Sequence, residues 1–132
     1  MTLAALTLAA VLGSSAVATA PVLRPLTLSA ACQKAGYSAL QDSGGTVRVL
    51  RYVRLIPDNT ARQTEYYSAA GQLQSVRATA SGFVGLLYDL NAKVDGKGRI
   101  VGETGYRSKF FRGGVVLLPV SAAQVKQGSC AG

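Results

Sequence analysis

Alternating apolar and polar residues fill most of the chain after residue 45 and predict short β-strands. The segments with this pattern are 46–56, 62–68, 72–80, 86–94, 99–104, 106–112 and 115–120. Turns rich in glycine separate them, and the clearest is Asp95-Gly96-Lys97-Gly98. Because strands joined by tight turns run antiparallel, this pattern predicts an antiparallel meander of six to seven short strands.

A helical pattern precedes the strands. Apolar residues recur at steps of three and four, at Leu28, Ala31, Cys32, Ala35 and Ala39. Thr27 or Ser29 is placed to cap the first turn, and 42–45 ends the helix. Two prolines make 21–26 an extended linker, and 121–127 fits a last helical turn. The predicted fold is therefore α+β and mainly β, in one small domain over residues 27–132.

The first twenty residues predict export. They carry no charged side chain, are rich in Leu, Ala and Val, and end in Ala18-Thr19-Ala20 before Pro21. Small residues at those positions suit signal peptidase, so residues 1–20 are predicted to be a signal peptide and the mature protein to be periplasmic or secreted. No Lys or Arg opens the segment, and a retained membrane anchor over 2–23 is an alternative.

The two cysteines, Cys32 and Cys130, lie near the two ends of the mature chain. In an oxidising compartment they are expected to form a disulfide that closes almost the whole domain. A second interpretation uses the stretch Leu28-Ser29-Ala30-Ala31-Cys32, which resembles the lipobox of bacterial lipoproteins. That resemblance implies a lipid on Cys32 and a protein tethered to a membrane, although Ser29 stands where the motif has Leu.

The amino-acid composition excludes several kinds of catalytic and metal site. The chain has no histidine, which excludes a Ser-His-Asp triad, a Cys-His dyad and histidine-dependent hydrolysis. Two widely separated cysteines do not make a zinc site, so no metal and no cofactor are predicted. Fourteen Lys and Arg against six Asp and Glu give a net charge of +8, which favours an anionic partner.

Three carboxylates on predicted strands are the remaining route to catalysis: Glu65, Asp89 and Glu103. Hydrolysis of a glycoside needs two of them in one cleft, and their spacing gives no sign of convergence. We therefore expect each to face solvent beside an Arg or Lys, and the protein not to be an enzyme. A small carboxylate-dependent hydrolase is the least favoured function.

The basic residues give the candidate binding site. Alternation along 48–56 places Arg48, Tyr52 and Arg54 on one face with Leu50 and Ile56. This face either binds an anionic or sugar-like ligand or packs under the N-terminal helix with its arginine stems buried. Along 106–112 alternation places Tyr106 and Phe110 toward the core and Arg107 and Lys109 toward solvent. The predicted function is noncatalytic binding at the cell envelope, to an anionic polymer or membrane surface, through Arg48, Tyr52, Arg54, Arg107 and Lys109.

The alternative function is a protein-interaction module, such as an inhibitor or a subunit of an envelope assembly. Sequence-specific binding of nucleic acid is not expected, because no motif for it accompanies the positive charge.

Overall fold

The computed structural model describes residues 20–130, so the predicted signal peptide lies outside the described residues except for Ala20. Within that range the chain forms one sheet whose seven strands follow each other in chain order, all antiparallel. The strands are β1 Arg24–Leu26, β2 Tyr37–Gln41, β3 Val47–Ile56, β4 Asn59–Tyr67, β5 Leu73–Gly82, β6 Gly85–Val94 and β7 Ile100–Arg107. The predicted mainly β meander is confirmed.

Two short helices lie between residues 20 and 130, α1 Ala30–Lys34 and α2 Ala122–Gln127. Neither is long and apolar enough to cross a membrane. Helix α2 was expected at this position, and it begins with a capping box in which Ser121 and Gln124 each bond the other's backbone amide.

The N-terminal part differs from the prediction in two places. Ser29 caps α1 by accepting from the Cys32 amide at 3.2 Å, but the helix ends at Lys34, not at 42. Gly36 adopts a left-handed φ of 101° and turns the chain into β2, so the apolar Ala39 belongs to a strand. The predicted linker 21–26 is also partly wrong, because Arg24–Leu26 pairs with β2 as β1.

The C-terminal part holds a second correction. The segments 99–104 and 106–112 were predicted as two strands, but β7 runs through Gly105 and stops at Arg107. The predicted strand 115–120 is irregular. Residues 108–120 form a strap, the name used below, that crosses one face of the sheet instead of pairing with it.

Side chains of the sheet bond the strap's backbone and so replace strand pairing. The Val115 amide donates to Glu103 at 2.9 Å, and the Leu118 amide donates to Glu65 at 2.9 Å. The Gln63 side-chain amide donates to the Val116 carbonyl at 2.8 Å. These bonds satisfy backbone polar groups of a segment that has no neighbouring strand.

The strap and the two helices cover one face of the sheet, called here the covered face, which holds Leu50, Glu65, Val76, Leu90 and Ala92. The other face, the open face, holds the alternate residues of the same strands. The main core cluster lies between the covered face and the helices: Leu28, Cys32, Tyr37, Ala39, Val47, Leu50, Val120, Val125 and Cys130. Cys32 and Cys130 form the predicted disulfide inside it, joining α1 to the residues after α2.

Candidate anion-binding surface

Arg48, the first of the predicted site residues, has a structural role. Its Nε donates to the Tyr67 carbonyl at 2.9 Å, and its Nη1 lies 3.4 Å from the Asp42 carboxylate. Hydrogen bonds from the Thr46 amide, Arg48 and the Gly44 amide lower the pKa of Asp42. The arginine therefore supports the turn between β2 and β3 and is not free to bind a ligand.

Tyr52 and Arg54 do share a surface, as expected. Tyr52 packs against Tyr37 with ring centroids 4.7 Å apart, and both Tyr52 and Arg54 line a cavity of about 200 Å³ beside the strap. Tyr88 of β6 lines the same cavity, and its ring stacks on Phe111 at 4.2 Å. The strap closes one side of this cavity, so it is small.

Arg107 and Lys109 do not join that surface. Arg107 forms an ion pair with Glu103 and donates to the Gly113 carbonyl at 3.0 Å, so it faces the strap. Lys109 lies past the end of β7, with its Nζ 5.3 Å from the centroid of the Phe110 ring. The prediction that Tyr106 and Phe110 are core residues is wrong, because both are exposed and β7 ends before Phe110. Of the five predicted residues, the structure thus brings together Tyr52 and Arg54 and separates the other three from them.

The structure brings together a different group of cations, on the open face. Arg51 of β3 and Arg77 of β5 lie on either side of Thr64 of β4, directly opposite it in the register. Arg62, two residues before Thr64 on β4, lies directly opposite Thr79 of β5. Two strand spacings separate Arg51 from Arg77, about 10 Å. The residues lining this hollow of about 320 Å³ are Arg51, Arg62, Thr64, Tyr66, Arg77 and Thr79.

The three arginines differ in their partners. Arg77 is held by two bonds to Asp89, at 3.2 and 3.0 Å, and these bonds lower the pKa of the Asp89 carboxyl. Among the described residues no carboxylate lies within 4 Å of the Arg51 or Arg62 guanidinium. Two guanidinium groups are therefore exposed and unpaired on a face that nothing in the described chain covers.

A second hollow adjoins the first and shares Tyr66 with it. Its volume is about 460 Å³. Gly102 of β7 is part of its lining, and a Cβ atom at this position would have no other atom within 4 Å. Lys93 and Asn91 stand at its side. The half-exposed Tyr66 ring thus lies between a cationic hollow and a wider hollow with one lysine, an arrangement suited to an extended ligand.

Sequence reasoning missed all three arginines of this hollow, Arg51, Arg62 and Arg77, although a signal was present. In a meander every second residue of each strand shares a face, so the alternations Arg62-Thr64-Tyr66 and Arg77-Thr79 belong together with Arg51. The strand β3 carries large apolar residues on both faces. Its sequence alone therefore does not reveal which face is covered.

The three candidate carboxylates face no common cleft. Asp89 lies on the open face beside Arg77, while Glu65 and Glu103 lie on the covered face, separated by Val76 and Ala92 in the register. The expectation that all three face solvent is wrong for Glu65, which is 2% exposed. Burial raises the pKa of Glu65, against the lowering effect of bonds from the Leu118 amide, Tyr67 and Gln63.

No protein-family model matches this chain, and no curated protein or solved structure is significantly similar to it.

Proposed function

We propose that this protein is an exported, noncatalytic domain of the cell envelope that binds an anionic polymer through the open face of its sheet. The observation that carries the proposal is the group of Arg51, Arg62 and Arg77 around Thr64 on an uncovered face. A guanidinium group presents paired N–H donors that match phosphate, sulfate and carboxylate oxygens.

The neighbouring groups favour a linear polymer over a small anion. Threonine hydroxyls beside the arginines donate and accept hydrogen bonds, and the Tyr66 ring offers a flat surface for a sugar or base. The second hollow, with Lys93, continues the surface past Tyr66. A chain of repeating anionic units fits two adjacent hollows better than it fits one.

The disulfide supports the export part of the proposal. Disulfides persist in oxidising compartments, and this one joins Cys32 to Cys130 across nearly the whole described chain. It also occupies the sulfur that a lipid anchor would need, which favours a soluble periplasmic or secreted form over the lipoprotein alternative.

The test compares two double variants with the same change in net charge. Arg51→Gln/Arg62→Gln removes the two unpaired guanidiniums, and Lys34→Gln/Arg112→Gln removes two exposed cations elsewhere. Binding to heparin and to polyphosphate is measured by fluorescence anisotropy over a range of salt concentrations. We expect the first variant to bind about 10- to 100-fold more weakly, and the second to bind nearly as well as the wild type.

Two results would remove this proposal. Equal weakening in both double variants would mean that net charge, and not this face, attracts the polymer. Binding that persists unchanged at high salt would mean that the arginines contribute little, because exposed charges are screened within about 10 Å at moderate ionic strength.

The second candidate function is a protein-interaction module, and the edge of the sheet favours it. Strand β7 pairs only with β6 among the described residues, and Val101 on it is exposed. A free edge can accept a strand from another protein. Its sign would be a complex of fixed stoichiometry, recovered from an envelope extract, that added polyphosphate does not dissociate.

A further inference from the structure

Three loops meet at one end of the sheet. The β3–β4 turn lies beside the β5–β6 turn, because Asn59 pairs with Gly82 and the Phe83 amide donates to the Asp58 carbonyl at 3.1 Å. The chain leaving β7 joins them, since the Ser108 amide donates to the Leu87 carbonyl at 2.8 Å. These loops form one continuous surface.

That surface is apolar and exposed, and it is called here the apolar end. Phe83 is 94% exposed and Leu55 is 80% exposed, and neither covers any other part of the described chain. The apolar end consists of Leu55, Phe83, Val84, Leu86 and Phe110. Two-residue hairpin turns ordinarily carry Gly, Asn or Asp, so a Phe-Val pair at this position is not required by the turn.

The two hairpins are held together rigidly. A Cβ atom at Gly82 would lie 2.1 Å from both the Asn59 Oδ1 and the Asp58 carbonyl oxygen, so the close approach depends on glycine there. The exposed side chains therefore project from a fixed platform. Binding through them costs little conformational entropy in the backbone.

Cations surround the apolar residues. Arg54 lies on β3 close behind the turn, opposite Ala61. Lys109 and Arg112 flank the exposed Phe110 on the third loop. Asp58 is the acidic residue in these loops. The apolar end is thus a hydrophobic tip behind which positive charge exceeds negative charge.

We infer that the apolar end inserts into the interface of a lipid bilayer that contains anionic lipids. Phe83, Val84 and Leu55 enter the boundary between headgroups and acyl chains, where apolar surface leaves water. Arg54, Lys109 and Arg112 then stand at the depth of the headgroup phosphates, where long cationic side chains are favoured. This site is distinct from the arginine hollow of the open face and does not depend on polymer binding there.

The protein's lack of tryptophan allows a local test. Phe83→Trp places a single indole at the tip, and Val101→Trp places one on the exposed edge of β7. Both proteins carry the same residues 1–20, so any binding by that segment is common to them. With vesicles of phosphatidylcholine and phosphatidylglycerol, we expect a blue shift and quenching by brominated lipid for the indole at 83 and neither for that at 101.

A pair of serine variants separates this site from the polymer site. Phe83→Ser/Val84→Ser should weaken vesicle binding at least about tenfold and leave heparin binding unchanged. The control Val101→Ser/Val116→Ser removes two exposed apolar side chains elsewhere and should bind vesicles like the wild type.

Three outcomes would overturn the inference. One is vesicle binding with no change in emission from the indole at 83. Another is equal binding to vesicles without phosphatidylglycerol. The third is a wild-type dimer that Phe83→Ser/Val84→Ser converts to monomer, since a second copy of the chain would then be what covers the tip.

Discussion

The two ends of the sheet differ in their hairpin turns: three residues lie between the paired strands in each turn of the polar end, and two residues in each hairpin turn of the apolar end. At the polar end, formed by the turns 42–46, 68–72 and 95–99, side chains bond the turn amides. Asp42 accepts from the Gly44 and Thr46 amides, and Asp95 accepts from the Lys97 and Arg99 amides, all at 2.9–3.0 Å. Helix α2 packs beside the first two turns, and Lys126 bonds the Gly45 carbonyl.

No side chain bonds the β3–β4 or β5–β6 turn of the apolar end among the described residues; in its third loop the Phe110 amide donates to the Ser108 hydroxyl at 3.2 Å. Its β5–β6 turn is the exposed pair Phe83-Val84, and the tie between its two hairpins is a backbone bond to Asp58. Because Phe83 and Leu55 are almost fully exposed, these large apolar side chains contribute little to the packing of the fold. The comparison indicates that the polar end serves stability and that the apolar end is available for binding.

Removing the disulfide should have the largest effect on stability. For Cys32→Ala/Cys130→Ala we expect the free energy of unfolding to fall by about 4–5 kcal/mol, because the bond closes a loop of 98 residues. Urea unfolding followed by circular dichroism measures this. Hydrogen exchange should rise first in α2 and the turn 42–46. Earlier loosening at 83–86 would contradict the division between the two ends.

Truncating an apolar side chain should lower the stability of the protein clearly at the polar end and hardly at all at the apolar end. Val125→Ala in α2 removes two methyl groups from a fully buried position and should cost about 2 kcal/mol. Phe83→Ala removes a larger side chain and should change stability by less than about 0.5 kcal/mol, because the ring is exposed. Thermal unfolding of both variants tests this pair. Comparable losses would mean that the tip is part of the packed structure.

Glu65 should give the protein an unusual pH dependence. Its pKa is raised in the folded state, so the folded protein binds a proton more readily than the unfolded chain. The cost of burying the charge is present above the raised pKa and disappears as the pH falls toward 4.5, the ordinary pKa of a glutamate. Glu65→Gln should flatten this trend, whereas Glu65→Ala should cost about 1–3 kcal/mol by leaving Tyr67 and the Leu118 amide unpaired.

Unfolding at several pH values tests the Glu65 prediction. A wild-type curve that already matches that of Glu65→Gln would show that the buried carboxylate does not titrate differently in the folded state.

The smallest expected effect is a loss of stability in acid at the turns of the polar end. Backbone hydrogen bonds lower the pKa of Asp42 and Asp95 below 3.8, so their stabilising effect is complete above that pH and is lost as the pH falls through the lowered values. Hydrogen exchange in strong acid should therefore increase at 42–46 and 95–99 before it increases at 83–86. Asp95→Asn should reduce this difference. A uniform increase would contradict it.

Local rules account for most of the sheet. Strands β3 to β6 are predictable because β3 is rich in β-branched residues, β6 alternates strictly, and turn residues separate the four, as at Pro57-Asp58. The disulfide is predictable because the chain has two cysteines and a segment typical of exported proteins. These predictions need no knowledge of distant contacts.

The strap and the binding face were not predictable, because distant residues decide them. Val115–Val120 has the composition of a strand, but Glu65, 53 residues from Leu118, bonds its backbone instead. The position of the strap also decides which face of β3 is covered. Once the strap lies over Leu50 and Tyr52, Arg51 faces solvent and becomes the candidate ligand in place of Arg48. The residues of β3 and their neighbours along the chain therefore do not show which face of the strand is covered.

A sheet whose strand order equals the chain order can grow one hairpin at a time, each strand adding to the strand before it. Such growth is fast for a β-protein, because each loop to be closed is short. The strap and Cys130 are the exceptions, since their contacts reach back 53 and 98 residues. The disulfide cannot close before Cys130 has emerged, so until then the Cys32 thiol is open to pairing with a second chain.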